Sequence, residues 1–393
     1  MHVVYLYPHF AIPGGAGTFA LETAKQLIKR GVKVSMITQT GNFEILKDYP
    51  GIHFEFVGGP LPNSLSYWIH YFAIYKKVEK ILDEINPDII FPQVFPSNYW
   101  GFLYKKHNPK IPCIWYAHDL NNYINNVQVI NGLPEPMRFF VKISNPLMKC
   151  IDKKMISRAD YVIVNSDFTA AQCKKIYNIS KTETIYPGVD IEEFPHAPVE
   201  KEDYILCVSV LTKFKKIDLV IKSVFLLKSK GITIKLIIIG DGPEKKNLMS
   251  QCEKLGVTEN VIFTGMITDR GLLFSYYTRA LCVVFPSIDE PFGIVPVEAQ
   301  AAWTPVIATK SGGPMESIVD GKSGFLIQPG SIDELVEKIF YFSQNPSIAE
   351  SMGISARKNV SEKFNWDTTS ERLLEVFKRH VHSYSLLLNN DIQ

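Results

Sequence analysis

The sequence predicts an α/β protein made of two doubly wound parallel sheets in tandem, and three observations predict it. Short apolar runs rich in Val and Ile alternate with longer stretches of helical periodicity, the pattern of parallel strands covered on both faces. At 393 residues the chain is too long for one ordinary core and suits two domains. The alternation lapses between Pro187 and Asp203 into turns, prolines and acids, then starts again.

In the first half the expected strands are Val3–Tyr7, Val32–Thr38, Ile89–Phe91, Ile111–Tyr116 and Tyr161–Asn165. Between the first two lies a helix, Gly17 to Lys29. Its Phe19, Ala20, Ala24, Leu27 and Ile28 share one face, and Gly31 ends it. The second series is Ile205–Val210, Ile234–Ile239, Val261–Thr264, Cys282–Phe285 and Pro305–Thr309. Beyond Trp366 a last helix runs from Asp367 to about Leu386, capped by Asp367 or Thr368, and the terminal Asn-Asn-Asp-Ile-Gln is expected to fray. The expected domains are residues 1–190, 191–366 and, for the last helix, 367–393.

Composition narrows the function classes. Hydrophobic residues make up 46% and charged ones 21%, which is globular, and a net charge of +2 gives no bulk field for nucleic acid. The cysteines, Cys113, Cys150, Cys173, Cys207, Cys252 and Cys282, form no CxxC pair and have no His at metal-ligand spacing. They read as free thiols in a reducing compartment. Met1–Tyr7 lacks a basic leader and a cleavage site and reads as a strand, and no run reaches the ~18 apolar residues of a spanning helix. The expectation is a cytoplasmic protein, at most peripheral at the membrane face.

The most informative stretch follows the strand that ends at Phe285. It reads Ser287-Ile-Asp-Glu-Pro-Phe-Gly-Ile-Val-Pro-Val-Glu-Ala-Gln-Ala-Ala-Trp-Thr-Pro-Val-Ile-Ala308. Pro291, Phe292 and Gly293 make a turn, and a helix opens near Val295 or Pro296, where proline's missing N–H costs nothing. The N–H groups of Gly293, Ile294 and Val295 then point out of a positive helix end that suits a phosphate. Glu298, one turn inside, would repel that phosphate and is better matched to the two hydroxyls of a ribose. Glu290, before the turn, is placed to hold hydroxyls of a transferred sugar. Either glutamate alone reads as an ordinary helix-start acid; the whole string does not.

Two further stretches carry chemistry. Pro13-Gly-Gly-Ala-Gly-Thr-Phe-Ala20 is a glycine-rich loop between strand and helix, which lets backbone N–H groups approach an anion. It spells Gly15-x-Gly17-x-x-Ala20, a dinucleotide fingerprint. However, the loop from Tyr7 to Gly14 is too long for that turn, and the next strand ends in Gln39-Thr40 with no ribose-binding acid. His118, in Trp115-Tyr-Ala-His-Asp119, lies just past a strand's C-terminal end, where open α/β sheets place their ligands.

The Glu-x-Phe-Gly-Ile-x-x-x-Glu string, the Pro-Val-Ile-Ala run and Gly312-Gly313-Pro314-x-Glu316 resemble the family-four retaining glycosyltransferases. So do Ile239-Gly-Asp-Gly-Pro-Glu244, Asn165-Ser-Asp-Phe-Thr-Ala170, Tyr186-Pro-Gly-Val-Asp190, Gly321-Lys-Ser-Gly-Phe-Leu-Ile327 and Phe364-Asn-Trp366. The resemblance covers nearly the whole chain. It implies the GT-B fold: two Rossmann-like domains facing across a cleft, the C-terminal one holding a nucleotide sugar and the N-terminal one the acceptor, with the last helix crossing back.

The same resemblance implies residue roles. Gly14 and Gly15 face the donor diphosphate. Lys215, in Val208-Ser-Val-Leu-Thr-Lys-Phe-Lys-Lys-Ile-Asp-Leu219, matches the family lysine on that diphosphate, where a cation neutralises the leaving group. The family arginine position holds Val210, a departure that leaves Lys213 as the substitute cation, a point charge where the family has a fork. His118 sits over the donor sugar, with its backbone carbonyl supporting oxocarbenium charge. Asp119 either orients it or caps the loop. Trp303 replaces a usual glycine, and since Trp disfavours positive φ that turn is expected to differ, with the ring packing instead on the neighbouring loop.

The resemblance further implies front-face attack by the acceptor hydroxyl with a departing phosphate oxygen as base, unlike the two-carboxylate hydrolase scheme. No Asp-x-Asp motif is present, so no metal is expected to bridge the diphosphate. The Glu-Pro-Phe-Gly-Ile and Ser311-Gly-Gly-Pro strings look most like mannosyltransferases using GDP-mannose, on a glycan, lipid-linked or small-molecule acceptor. A non-catalytic nucleotide-sugar binder and a dinucleotide-dependent oxidoreductase are the rival readings. The basic stretch Leu133–Arg158, with six Lys/Arg against two acids, and the aromatic stretch Tyr67–Leu82 read first as amphipathic helices covering the N-terminal sheet. The second reading is a face for an anionic membrane.

Overall fold

The computed structural model describes residues 1–10, 14–60, 65–131, 133, 135 and 137–390. The chain divides into two compact units. One is Met1–Gly188 with Trp366–Gln393, the other Val189–Asn365. The expected limits of 190 and 366 lie within two residues of these divisions. Trp366, placed at the end of the second domain by the sequence, falls in the first unit.

The second unit is one parallel six-stranded sheet. Its spatial order is Val261–Gly265, Lys235–Ile239, Glu202–Val208, Ala280–Phe285, Val306–Thr309 and Gly324–Ile327. In chain order that is 3-2-1-4-5-6, with the direction of winding reversing between Glu202–Val208 and Ala280–Phe285. A reversal leaves a crevice at the strands' C-terminal ends, because successive connections depart to opposite sides. Ile205, Cys207, Leu236, Ile238, Cys282 and Val284 are fully buried in its core, so the cysteines act as small hydrophobes.

The first unit repeats the scheme. His53–Phe56, Lys33–Thr38, His2–Leu6 and Ile89–Pro92 form a parallel sheet, and Ile114–Ala117, Tyr161–Val164 and Thr182–Thr184 a second. A parallel bridge from Ile90 to Cys113 joins them. Strand periodicity sorts the core: Val3 and Tyr5 face one layer, Val4 and Leu6 the other. The first layer includes the helix Gly15–Lys29 and, from the last helix Trp366–Asn390, Leu373, Val376 and Phe377. Phe377 meets Phe91 edge-on at 4.9 Å, and Arg30 pairs with Asp367.

Three expectations are corrected. The sequence reading missed the edge strands His53–Phe56, Thr182–Thr184 and Gly324–Ile327; the first two are polar or half-exposed, and the third is only four residues long and half-exposed at Phe325 and Leu326. The first helix starts at Gly15, two residues early, and Gly31 at φ 79° follows its end. The stretch Tyr67–Leu82 lies in a helix, Leu65–Ile85, that buries Tyr67, Tyr71, Ile74, Tyr75, Val78 and Leu82 as expected. In contrast, Met137–Ile156 does not cover the sheet with Phe139, Phe140, Ile143 and Leu147, which are exposed.

Candidate active site

The winding reversal of the second unit is where its chemistry-bearing residues gather. The loop after Glu202–Val208 carries Val210, Lys213 and Lys215, and the loop after Ala280–Phe285 carries Glu290 and Gly293. The first loop is pinned from beside: Leu211 N–H donates to Asp241 O at 3.0 Å and Glu244 N–H to Leu211 O at 3.0 Å. Glycine is required at 240 and 242, since a Cβ there would stand 2.0 Å from Ser209 O and 2.5 Å from Leu211 O. The Ile239-Gly-Asp-Gly-Pro-Glu string is therefore the buttress of the lysine loop.

The second loop is latched in the same manner. Gly313 N–H donates to Glu290 O at 2.8 Å, and Ser311 Oγ donates to Asp289 Oδ1 at 2.6 Å. Between them the chain turns sharply, with Asp289 at φ 55° and Gly293 at φ 85°. The turn delivers a helix, Ile294–Ala301, whose first N–H groups have no partner within the helix. Gly293, Ile294 and Val295 thus stand at a positive helix end, as expected.

Lys215 and Glu290 meet across this crevice, Nζ to Oε2 at 2.6 Å. Both are largely buried, 15% and 21% exposed, and Lys215 Nζ also lies within 6 Å of the Phe214 and Phe285 ring centres. Lys213 is exposed and Val210 is open to solvent, so of these two lysines only Lys215 has an ion-pair partner holding it in the crevice. Glu298 accepts a hydrogen bond from Tyr277 Oη at 2.9 Å. Burial raises the Glu298 carboxyl above its ordinary pKa, against the opposing Tyr277 hydrogen bond and the Arg270 charge.

In the first unit His118 follows the strand Ile114–Ala117. Its Nε2 lies 2.8 Å from Gln93 Oε1, and because an amide oxygen only accepts, Nε2 carries the proton. Gln93 is held in turn, its Nε2 donating to Phe91 O at 3.3 Å and its carbonyl accepting from Trp115 Nε1 at 2.9 Å. Phe19 and Tyr116 pack against the imidazole at 5.0 and 4.6 Å between ring centres. Burial pulls the His118 pKa down to about 3, so the ring is neutral at physiological pH, with Nδ1 as its acceptor. Its backbone carbonyl accepts from Asn165 Nδ2 at 2.8 Å, which gives the Asn165-Ser-Asp string a task. Asp119 Oδ1 accepts from Asn121 N–H at 3.1 Å, a loop cap.

Gly14 is the N-cap of the first helix, and Gly14 and Gly15 are both exposed at that helix start; Pro13, the first residue of the loop, lies outside the described residues. The sequence reading missed Gln93 and Tyr277. Gln93 had a signal, a polar residue directly after the apolar run Ile-Ile-Phe-Pro. Tyr277, inside the helix Arg270–Arg279, had none.

The turn at Trp303 overturns an expectation. Trp303 keeps the left-handed conformation at φ 60°. The indole N–H donates to Pro195 O at 2.7 Å, Arg357 stacks over the ring at 5.3 Å, and the Trp303 carbonyl accepts from Lys201 Nζ at 3.0 Å. These contacts hold the strained residue in place.

With this geometry in view, the chain's likenesses are specific. Residues 13–193 match the family model described as Glycosyltransferase Family 4, and residues 189–359 the one described as Glycosyl transferases group 1. A D-inositol 3-phosphate glycosyltransferase of Mycobacterium marinum is 26% identical over 404 residues, covering 95% of this chain and 82% of that protein. Anabaena HepE in complex with UDP and glucose superposes with a TM-score of 0.78 at 22% identity, covering 96% of this chain and 99% of that one. Sucrose-phosphate synthase from Thermosynechococcus elongatus also gives 0.78, at 18% identity over 97% of this chain and 99% of that one. The chain has the GT-B fold and belongs to the family-four glycosyltransferases.

Proposed function

We propose that the protein is a retaining hexosyltransferase that moves a sugar from a nucleotide-sugar donor to an acceptor hydroxyl without a metal ion. The observation that carries the reading is the crevice of the second unit, where Lys215 and Glu290 pair beside the turn that opens the helix Ile294–Ala301, with Glu298 one turn inside that helix. The N–H groups of Gly293, Ile294 and Val295 and the charges of Lys215 and Lys213 suit a diphosphate. They supply the neutralisation that a bridging metal would otherwise give. Glu298 is placed for ribose hydroxyls and Glu290 for those of the sugar. In the first unit, neutral His118 offers Nδ1 to a sugar hydroxyl, and Gly14 and Gly15 add helix-start N–H groups for an anion. Acceptor binding falls to the first unit, and any attachment to a membrane is peripheral. None of the helices among the described residues is long and apolar enough to cross one.

Two donors have support. The strings around Glu290 and Ser311 resemble mannosyltransferases and favour GDP-mannose, whereas the UDP held by HepE favours a uridine donor. Calorimetry with GDP, UDP, ADP and their sugars separates them. Binding of one nucleotide, unchanged by magnesium and lost in Glu298→Ala, is the expected result. Transfer is then followed by NMR with an acceptor panel that includes D-inositol 3-phosphate, suggested by the name of the M. marinum relative. A product with the donor's anomeric configuration supports retention. Inversion, or binding that requires magnesium, overturns the corresponding part. Binding of NAD without any nucleotide sugar overturns the whole.

A further inference from the structure

The helix Met137–Ile156 packs one side on the first unit and turns an apolar side outward. At about 100° per residue, Phe139, Phe140, Ile143, Leu147, Cys150 and Ile151 fall within a stripe roughly 120° wide. Their exposure is not marginal: Phe139, Phe140, Ile143 and Leu147 are each 59–66% exposed. The opposite side is anchored by Asp152, which is fully buried and accepts hydrogen bonds from Tyr99, Asn121, Asn125 and Tyr177. The stripe is therefore outward because the helix is fixed in rotation.

Charge identifies what the stripe meets. Every exposed charged side chain between Met137 and Ile156 is a cation: Lys142, Lys149, Lys153 and Lys154. The one acid of the helix is the buried Asp152. Lys142, Lys149 and Lys153 line one border of the stripe, and Lys154 stands within it at the helix's C-terminal end; their long stems lie along apolar surface and the ammonium groups reach outward. A second helix, Leu65–Ile85, packs against the same neighbour, Ser97–His107, and exposes Ile69 and Phe72, each above 70%. A protein partner of ordinary composition would offer acids and bases together. A surface that is apolar below and uniformly anionic above fits a lipid bilayer.

We propose that the Met137–Ile156 helix docks the first unit in the plane of an anionic bilayer. Phe139, Phe140, Ile143 and Leu147 sit among the upper acyl chains, and the four lysines lie at the headgroup phosphates. The proposal goes beyond the transferase reading and does not depend on it, since it uses none of the donor-site residues. It places the first unit at a lipid surface.

The test is flotation of the full chain with phosphatidylcholine vesicles, with and without phosphatidylglycerol. The wild type is expected to float with the anionic vesicles, to be released by salt, and to stay behind with phosphatidylcholine alone. Replacing the four lysines by Gln should weaken binding by about fivefold per residue. Phe139→Ser with Ile143→Ser and Leu147→Ser should weaken it by about tenfold or more per side chain. Circular dichroism and nucleotide calorimetry on the same variants check that each is folded with its donor site intact. No flotation of the folded wild type at low salt, or unchanged flotation of either variant, overturns the proposal. So does light scattering that shows a wild-type dimer made monomeric by the serine substitutions, which would make the face a self-association surface.

Discussion

Lys215 Nζ lies 2.6 Å from Glu290 Oε2, and this one contact joins the two loops that leave the central strands of the second unit in opposite directions of winding. It is a side-chain tie between loops whose backbones are each fastened to their other neighbour, one at Leu211 and one at Glu290. Groups that share one contact act as a unit, so their losses are not additive. Lys215→Ala and Glu290→Ala should each lower kcat/KM by about a hundredfold. The double variant should fall by about tenfold or less beyond the worse single one. Steady-state kinetics on the four proteins measures the coupling, and independent losses that multiply would show that the two side chains have no shared task.

Glu298 makes two predictions of opposite sign. Burial raises its carboxyl above the ordinary value, so over the pH range between the two values the folded protein holds a proton that the unfolded chain has released. Stability contributed by this group is therefore present below that range and lost as pH rises through it. Glu298→Gln removes the cost of the buried charge and should raise the melting temperature at pH 8. The same substitution replaces one of the two accepting oxygens by an amide NH2 and removes the charge that a ribose diol would bond, and should weaken nucleotide binding by about tenfold or more. Wild-type affinity should also fall as pH drops toward the raised value, and the glutamine variant should lose that dependence. Calorimetry between pH 5 and 8 with thermal melts at the same pH values reads both.

His118 has the reverse sign. Its folded pKa of about 3 lies below the ordinary 6.5, so between those values the unfolded chain binds a proton that the folded one does not. Stability contributed by the neutral ring is present above pH 6.5 and lost as pH falls, by at most about 1.4 kcal/mol per unit. Urea unfolding of wild type and His118→Asn at pH 5 and 7 should show a smaller acid loss in the variant. An equal loss would mean that the ring is solvated and titrates normally.

Gln93 acts on that ring as a positioning residue. Its amide oxygen holds the proton on Nε2 and leaves Nδ1 free to accept. Gln93→Leu should scramble the tautomer, visible as a shift of the His118 ring nitrogens in NMR, and should lower kcat by about tenfold or more with little change in donor KM. Gln93→Glu, which keeps an accepting oxygen, should preserve the tautomer. A leucine variant with unchanged ring nitrogens would leave Gln93 a purely structural role.

Much of this was legible in the residues, for definite reasons. The central strands of both units were, because strands buried on both faces must be apolar, as Val3–Leu6 and Leu236–Ile239 are. The turn and helix start at Gly293 were, because proline at 296 fixes φ in the first helical turn and glycine at 293 permits the positive φ of the turn before it. The edge strands His53–Phe56 and Thr182–Thr184 were not, since an edge strand answers to its neighbour's register more than to its own composition. Nor were the Lys215–Glu290 and His118–Gln93 contacts, which join residues 75 and 25 apart and exist only once the parallel order of the strands is known.

Trp303 shows a local rule overridden by its surroundings, and the override can be measured. A residue with a Cβ at φ 60° carries a penalty of about 1–2 kcal/mol that glycine does not. Against it stand the indole hydrogen bond to Pro195 and the guanidinium of Arg357 over the ring, together about 1–3 kcal/mol. Trp303→Ala loses both contacts and keeps the strained Cβ, whereas Trp303→Gly loses both contacts and the strain. Alanine should therefore be the less stable variant, by about 1 kcal/mol in urea unfolding, and glycine should lie close to wild type. Both variants should leave nucleotide binding unchanged, because the ring's partners, Pro195 and Arg357, are not among the donor-site residues. Equal stabilities for glycine and alanine would mean that the turn relaxes out of the left-handed region once the indole is gone. The conformation would then be imposed by the ring's contacts with Pro195 and Arg357 and not by the turn itself.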